Sequence, residues 1–194
     1  MTDTQFDKVY YESNNYEDYR FREPRYHKMA AEMATLFDQL KLVNKESRIL
    51  DYGCSFGFLI RGFQELSYSN VCGYDISKYA SDVARSQNVE ILNSPQGTYD
   101  LVLAMDVFEH MHDSQLEQFQ RDVQCKFLVG RIPVSSGGAD FHLAVSRKDP
   151  THINCKTKEQ WKLLLRSWGF NTVLHVNLTS FYDSDGVFCF LASK

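Results

Sequence analysis

The side chains best suited to chemistry in this sequence are acids and histidines set around a glycine turn. Asp51 opens Asp51-Tyr52-Gly53-Cys54-Ser55-Phe56-Gly57, Asp75 follows about 20 residues beyond Gly53, and Asp106 begins Asp106-Val107-Phe108-Glu109-His110. Gly53 and Gly57 can take positive φ or let a ligand approach the backbone closely. A strand that feeds a helix through such a turn is expected to present unpaired backbone N–H groups at the helix start, a geometry that suits a nucleoside-containing ligand. Asp51 narrows the choice, because a carboxylate there would repel a pyrophosphate but hold the ammonium end of an amino-acid ligand. Asp75, closing the second strand, is placed to accept hydrogen bonds from ribose hydroxyls. The plainer alternative is a strand–turn–helix connection with Asp75 as a turn residue. The dinucleotide fingerprint G-x-G-x-x-G fits the glycine spacing poorly.

Asp106, Glu109 and His110 stand at i, i+3 and i+4, which on a helical turn would put all three on one face. Their oxygen and nitrogen donors would suit Mg²⁺, Mn²⁺ or Zn²⁺, with His152 of Asp149-Pro150-Thr151-His152 as a distant partner. Histidine is also the usual group to take a proton from a hydroxyl near neutral pH. His152 and His110 are therefore the candidate catalytic residues, and His142 is a lesser one. The plainer readings are a solvated loop histidine and a capped helix start.

These side chains need elements to carry them. Pro24 suits the first turn of a helix whose apolar face is Met29, Met33, Leu36, Phe37 and Leu40. Strands are expected at 47–50, 70–74, 89–92, 99–105 and 126–134, with helices after the glycine turn (57–64) and after Ser77 as N-cap. Ser114 with Glu117, and Thr157 with Gln160, read as capping boxes. The second of these starts a helix lined by Trp161, Leu164, Leu165 and Trp168 that stops at Gly169. Residues 135–156 read as irregular and polar, and 170–178 with 186–193 as a hairpin at the sheet edge. The expected fold is α/β and doubly wound, with a mostly parallel seven-stranded sheet and a late antiparallel strand. Asp51, Asp75 and Asp106 would then close strands one, two and four on one rim, where ligands bind in such sheets. Residues 1–20, with Tyr10, Tyr11, Tyr16 and Tyr19 among polar residues, read as an arm outside the core.

Composition removes several classes. A net charge of −4 gives no bulk electrostatic reason to expect nucleic acid or an anionic membrane as partner. Five cysteines without a C-x-x-C pair argue for reduced thiols and against a zinc ribbon or a disulfide framework. No apolar run approaches membrane-spanning length and no hydrophobic signal core opens the sequence, so a soluble, cytoplasmic protein is expected.

The glycine turn resembles motif I of the class I S-adenosylmethionine-dependent methyltransferases, acidic-x-Gly-x-Gly-x-Gly, with Ser55 in place of the middle glycine. Tyr99-Asp100-Leu101-Val102 followed by Asp106-Val107-Phe108-Glu109-His110 is similar to the fourth strand and D-x-x-E-H exit of the subgroup that includes the ubiquinone-biosynthesis O-methyltransferases. The resemblance implies a Rossmann-like domain over residues 25–194, with 1–24 as an N-terminal arm or lid. It implies S-adenosylmethionine as cofactor, contacted by Asp51, Gly53, Cys54, Ser55, Gly57, Asp75, Ile76, Asn93, Met105 and Asp106. In the family an Asp often meets the adenine where this chain has Asn93. The reaction expected is methyl transfer to a small molecule such as a sugar or other hydroxyl-bearing metabolite, with no metal. One alternative is a metal-assisted ribose 2′-O-methyltransferase acting on nucleic acid, with Asp106, Glu109, His110 and His152 as ligands, as in the similar element of small-RNA 3′-terminal methyltransferases. Another is a non-catalytic partner subunit of the same fold. A nicotinamide oxidoreductase is disfavoured by Asp51 and the missing glycine.

Overall fold

The computed structural model describes residues 5–13 and 16–194. Six strands form one sheet: β1 (Ile49–Tyr52), β2 (Val71–Tyr74), β3 (Gly97–Met105), β4 (Val123–Pro133), β5 (Thr172–His175) and β6 (Val187–Ser193), in the spatial order β2-β1-β3-β4-β6-β5. β1 to β4 run parallel, and β6 lies antiparallel to both of its neighbours. Helices α3 (Phe58–Glu65), α4 (Lys78–Ser86) and α5 (Asp113–Asp122) make the crossovers between the parallel strands. The chain reverses its direction of travel across the sheet between β1 and β3, which makes that gap the topological switch point.

Alternation along the central strands builds two cores. Leu101 and Leu103 of β3 face α2 (Glu23–Leu40) and α3, where Met29, Met33, Phe37, Leu59, Ile60 and Phe63 are buried. Val102 and Ala104 face the opposite way, toward Leu116 and Phe119 of α5 and Trp161 and Leu165 of α7 (Lys158–Ser167). Pro24 stands in the first turn of α2, where its missing N–H costs no helical bond. Ser77 accepts from the Ala80 N–H to start α4, and Thr157 and Gln160 form the expected box at the start of α7. Among the described residues no helix is long and apolar enough to cross a membrane.

Several expectations need correction. Residues 89–92 are not a strand, so the sheet has six strands and not seven. The segment touches β2 at a single bridge, Gly73 with Ile91, because Gly73 alone exchanges backbone hydrogen bonds with it. The late pair is the expected antiparallel hairpin at one end of the sheet, with β5 as the edge strand and β6 between it and β4. Helix α5 is capped at His112, whose N–H donates to Gln115 Oε1 at 2.9 Å, and not by Ser114 with Glu117. Residues 135–156 contain one short helix, α6 (Ala144–Arg147). The tyrosine-rich arm is not outside the core. Its short helix α1 (Lys8–Tyr11) and the 3-10 turn Tyr19–Phe21 bury Phe6, Tyr11 and Tyr19 against Phe56, Phe58 and Ala80. Aromatic rings set among polar residues bury apolar area while their polar neighbours stay in solvent.

Candidate functional site

A cavity of about 810 Å³ opens over the carboxyl ends of the parallel strands. Of the residues expected at the cofactor, Gly53, Ser55, Asp75, Ile76, Asn93, Met105 and Asp106 line it, as do Glu109, His110 and His152. Asp51, Cys54 and Gly57 do not line it. Asp51 is 4 % exposed and borders a small cleft with Tyr19, Tyr26, Phe58 and Met105. It is the third residue of β1, not its last, so its side chain points into one face of the sheet and only Asp75 and Asp106 reach the rim.

The turn after β1 is left-handed at every second residue: Gly53 at φ +78°, Ser55 at +49° and Gly57 at +75°. Ser55 thus adopts the conformation of the glycine it replaces, at a cost of about 1 kcal/mol for a residue with a Cβ. The curl folds the turn onto the end of β2, and its N–H groups are satisfied there. Gly53 and Cys54 donate to the Tyr74 carbonyl at 2.7 and 3.2 Å, Ser55 to Asp75 Oδ2 at 2.7 Å, and Gly57 to the Cys54 carbonyl at 2.9 Å. The donors expected to be unpaired lie one step further on, at the start of α3, where Gly57 offers no side-chain cap. A Cβ on Gly53 would lie 2.4 Å from Val107 Cγ2, so the glycine also lets the segment after β3 pack down on the turn.

Each Asp75 oxygen accepts one backbone N–H, Oδ2 from Ser55 and Oδ1 from Ser77 at 2.8 Å, which leaves acceptor capacity toward the cavity. Burial pushes Asp75 up to about 6 against the opposing pull of those two N–H groups. Burial, and then the nearby Asp75 charge, pushes Asp51 up to about 7. No cation partners either acid among the described residues, so a bound cation or hydrogen-bond donor would favour their ionised forms.

Asp106 does not share a helical face with Glu109 and His110. It sits at φ +55°, ahead of the 3-10 turn Phe108–His110, and its carboxylate turns toward Arg131 near the end of β4. Glu109 is fully buried, and neither of its carboxylate oxygens has a hydrogen-bond partner. His110 Nε2 and His152 Nε2 each approach Glu109 Oε1 to 3.9 Å, and the two rings are 4.6 Å apart. Burial, reinforced by the neighbouring Asp106, raises the Glu109 carboxyl well above its usual range. Burial and the neighbouring His152 lower His110 to about 4. His142 lies off the cavity wall with its Nδ1 against the Ser136 hydroxyl.

Three further residues join the site. Arg131 lines the cavity and neutralises Asp106; a lone arginine in the apolar run Phe127–Ile132 was the sequence signal for it. From the arm, the Tyr10 and Tyr16 hydroxyls both donate to Asp149 Oδ2 at 3.3 Å. Nothing in the sequence pairs those tyrosines with a residue more than 130 positions away.

The family model of the methyltransferase domain matches residues 21–175. The chain belongs to that family. It is an S-adenosylmethionine-dependent methyltransferase with the class I fold. No curated protein matches this methyltransferase in sequence. Among solved structures it is similar to an S-adenosylmethionine-dependent methyltransferase from Archaeoglobus fulgidus, with a TM-score of 0.64, 16% identity, and coverage of 91% of this chain and 99% of that one. It is also similar to magnesium protoporphyrin IX methyltransferase from Synechocystis with bound S-adenosylhomocysteine (TM-score 0.65, 15% identity, 96% of this chain and 97% of that one). The methyltransferase domain of bacterial CtHen1 gives a TM-score of 0.62 at 14% identity, over 88% of this chain and 100% of that domain. At these identities the likeness is one of fold.

Proposed function

We propose that this methyltransferase alkylates a hydroxyl of a small molecule, such as a sugar or another hydroxyl-bearing metabolite. The observation that carries the reading is that one cavity runs from the Asp75 carboxylate to the unpartnered Glu109 carboxyl and the His110 and His152 rings beside it. In this reading Asp75 accepts the ribose hydroxyls of the cofactor. The ionised Asp51 below the turn favours the cationic amino-acid end, Gly53, Cys54, Ser55 and Gly57 shape the wall, and Ile76 and Asn93 border the base. Met105 and Asp106 stand between the cofactor and the acceptor. S-adenosylmethionine supplies an electrophilic methyl on a sulfonium, so transfer is an in-line displacement in which the hydroxyl oxygen bonds the methyl carbon as the carbon–sulfur bond breaks. The protein's part is to hold that oxygen in line and to receive its proton. The Glu109–His110–His152 cluster, rich in acceptors and short of donors, is where a hydroxyl would be held and its proton released.

The arm serves as a lid in this reading. Phe6, Tyr10 and Tyr16 contribute to the cavity wall, and their closure over it would exclude water during transfer. The cavity volume falls in the range of small-molecule sites, and a net charge of −4 disfavours a polynucleotide acceptor.

The test is calorimetric titration of S-adenosylhomocysteine into the wild type and Asp75→Ala, followed by turnover on a panel of monosaccharides and phenols. Micromolar binding that the variant loses, with S-adenosylhomocysteine released on a hydroxylated acceptor, is the expected result. Binding without turnover on any hydroxylated compound would sink the acceptor class, and undiminished binding in Asp75→Ala would sink the ribose assignment.

A further inference from the structure

We propose that Glu32 is a positioning residue that fixes the Ser180 hydroxyl as a hydrogen-bond acceptor on the cavity wall, where it selects a methyl acceptor carrying a second hydroxyl. This role rests on the methyl-transfer reading and narrows its acceptor class. Glu32 stands on α2, and its carboxylate gathers three donors from the turn between β5 and β6. Oε2 accepts the Ser180 N–H at 2.9 Å and the Ser180 hydroxyl at 2.6 Å, while Oε1 accepts the Thr179 hydroxyl. A carboxylate only accepts, so the Ser180 hydroxyl proton is committed to Glu32 and only its lone pairs remain. Burial pushes Glu32 up, but the bonds from Ser180 and Thr179 outweigh it and hold the carboxyl at about 2. The carboxylate is therefore ionised across the neutral range, and the Ser180 hydroxyl stays turned toward it.

Ser180 is 8 % exposed and lines the cavity together with Tyr182, Ser184 and Val187. Val187 pairs with Pro133 at the end of β4, and β6 stands four places from β2 in the sheet, about 19 Å at the usual strand spacing. Asp75 follows β2, so this wall lies well beyond the ribose contact and faces the methyl acceptor. Other contacts hold the backbone of the turn. Phe181 is fully buried, Asn177 bridges to Tyr182, and the Leu178 N–H donates to the Phe181 carbonyl at 2.7 Å. None of them sets the rotation of the Ser180 hydroxyl. Glu32 does.

A free serine would rotate to donate or accept as a ligand required. This one can only accept, so a ligand hydroxyl pointing at it gains a bond, and a C–H in that place leaves a buried lone pair unmatched. In the methyl-transfer reading the reacting hydroxyl is held at Glu109, His110 and His152, elsewhere in the same cavity. Two accepting positions in one cavity fit a polyhydroxylated molecule better than a mono-alcohol.

The experiment uses the full-length protein as wild type, Ser180→Ala, Glu32→Gln and Glu32→Ala, with circular dichroism to confirm folding. Turnover is measured on cyclohexanol, the positional isomers of cyclohexanediol, phenol and the isomeric dihydroxybenzenes, and S-adenosylhomocysteine binding by calorimetry. The wild type is expected to prefer its best diol to the mono-alcohol about tenfold in kcat/KM. Ser180→Ala and Glu32→Ala should lose that preference through KM and not kcat, with cofactor affinity unchanged. Glu32→Gln should keep it, because the amide oxygen accepts from Ser180 as the carboxylate does. Ser180→Ala and Glu32→Gln are nearly isosteric, so they decide the matter even where Glu32→Ala fails to fold. Equal rates on mono-alcohols and diols in the wild type, or an undiminished preference in Ser180→Ala, overturn the inference. A preference kept in folded Glu32→Ala, or cofactor affinity that falls in step with turnover, removes the positioning role of Glu32. No turnover on any hydroxylated compound sinks the methyl-transfer reading itself, whereas turnover on mono-alcohols and diols alike sinks only the selection by Ser180.

Discussion

Arg131 and Asp106 hold each other by both main chain and side chain. Arg131 Nε lies 3.0 Å from each Asp106 carboxylate oxygen, and the Asp106 N–H donates to the Arg131 carbonyl at 2.7 Å. The pair fixes the exit of β3 in a left-handed conformation, which aspartate tolerates better than most residues with a Cβ. Arg131→Met keeps much of the packing and removes the guanidinium. Because the Asp106 side chain is 40 % exposed, the expected loss is about 1–2 kcal/mol, below the cost of breaking a fully buried pair. Urea unfolding measures it, and a midpoint equal to that of the wild type would show that the pair does not hold the exit.

Asp51 and Asp75 make the unliganded protein sensitive to pH. Their folded-state values of about 7 and about 6 lie above the usual aspartate value, so the folded chain binds more protons than the unfolded chain between about pH 4 and 7. Their contribution to stability is complete below about pH 4 and is lost as pH rises through 6 and 7. Melting curves are expected to shift downward between pH 5.5 and 8, and less so in Asp75→Asn.

Cofactor affinity moves the other way over the same window. A ligand that needs the ionised Asp75 competes with its proton, so S-adenosylhomocysteine is expected to bind about tenfold more tightly at pH 7 than at pH 5. Calorimetry at the two values decides this, and a flat profile would mean that the Asp75 charge is not used.

Gly53→Ala sets a methyl group against Val107 and asks a residue with a Cβ to take φ +78°. Left-handed strain and overpacking together should cost about 2–4 kcal/mol. The double variant Gly53→Ala/Val107→Ala relieves the contact but not the strain, so it should recover part of the loss. Full recovery would assign the glycine to packing alone.

Removing the Tyr10 and Tyr16 hydroxyls by a double change to Phe leaves Asp149 without its two partners from the arm. The two bonds are worth about 1–2 kcal/mol together, enough to raise the open population of the arm roughly tenfold. Limited proteolysis ahead of Glu23 should accelerate accordingly. Unchanged cleavage would mean that the buried Phe6, Tyr11 and Tyr19 hold the arm without help.

Local signals in the chain were legible wherever they were local in fact. The glycine turn, Asp75 at the end of β2, the Ser77 cap and the Thr157–Gln160 box each depend on residues a few positions apart, and each stands where its pattern implied. Val89–Leu92 misled because its apolar alternation is real, yet β2 is only four residues long and offers it one bridge. Ser114 misled because serine favours caps, while His112 was already extended at φ −64° and ψ 157° with Gln115 in reach. Arg131 with Asp106 and Tyr10 with Asp149 join segments that meet only after the sheet has formed, so no spacing rule anticipates them. His152 beside Glu109 and His110 was expected from the resemblance, whereas Asp106, expected with them, turns to Arg131.

The insertion of β6 between β4 and β5 has a bearing on biosynthesis. During translation the ribosome delivers β5 before β6, so β5 emerges with no strand to pair with and must wait as an orphan segment. Apolar Val173 and Leu174 would be open to chaperones or to other nascent chains in that interval. The sheet closes in one late step when Val187–Ser193 slides between its neighbours, and a pause in elongation anywhere in 176–186 would lengthen the vulnerable period.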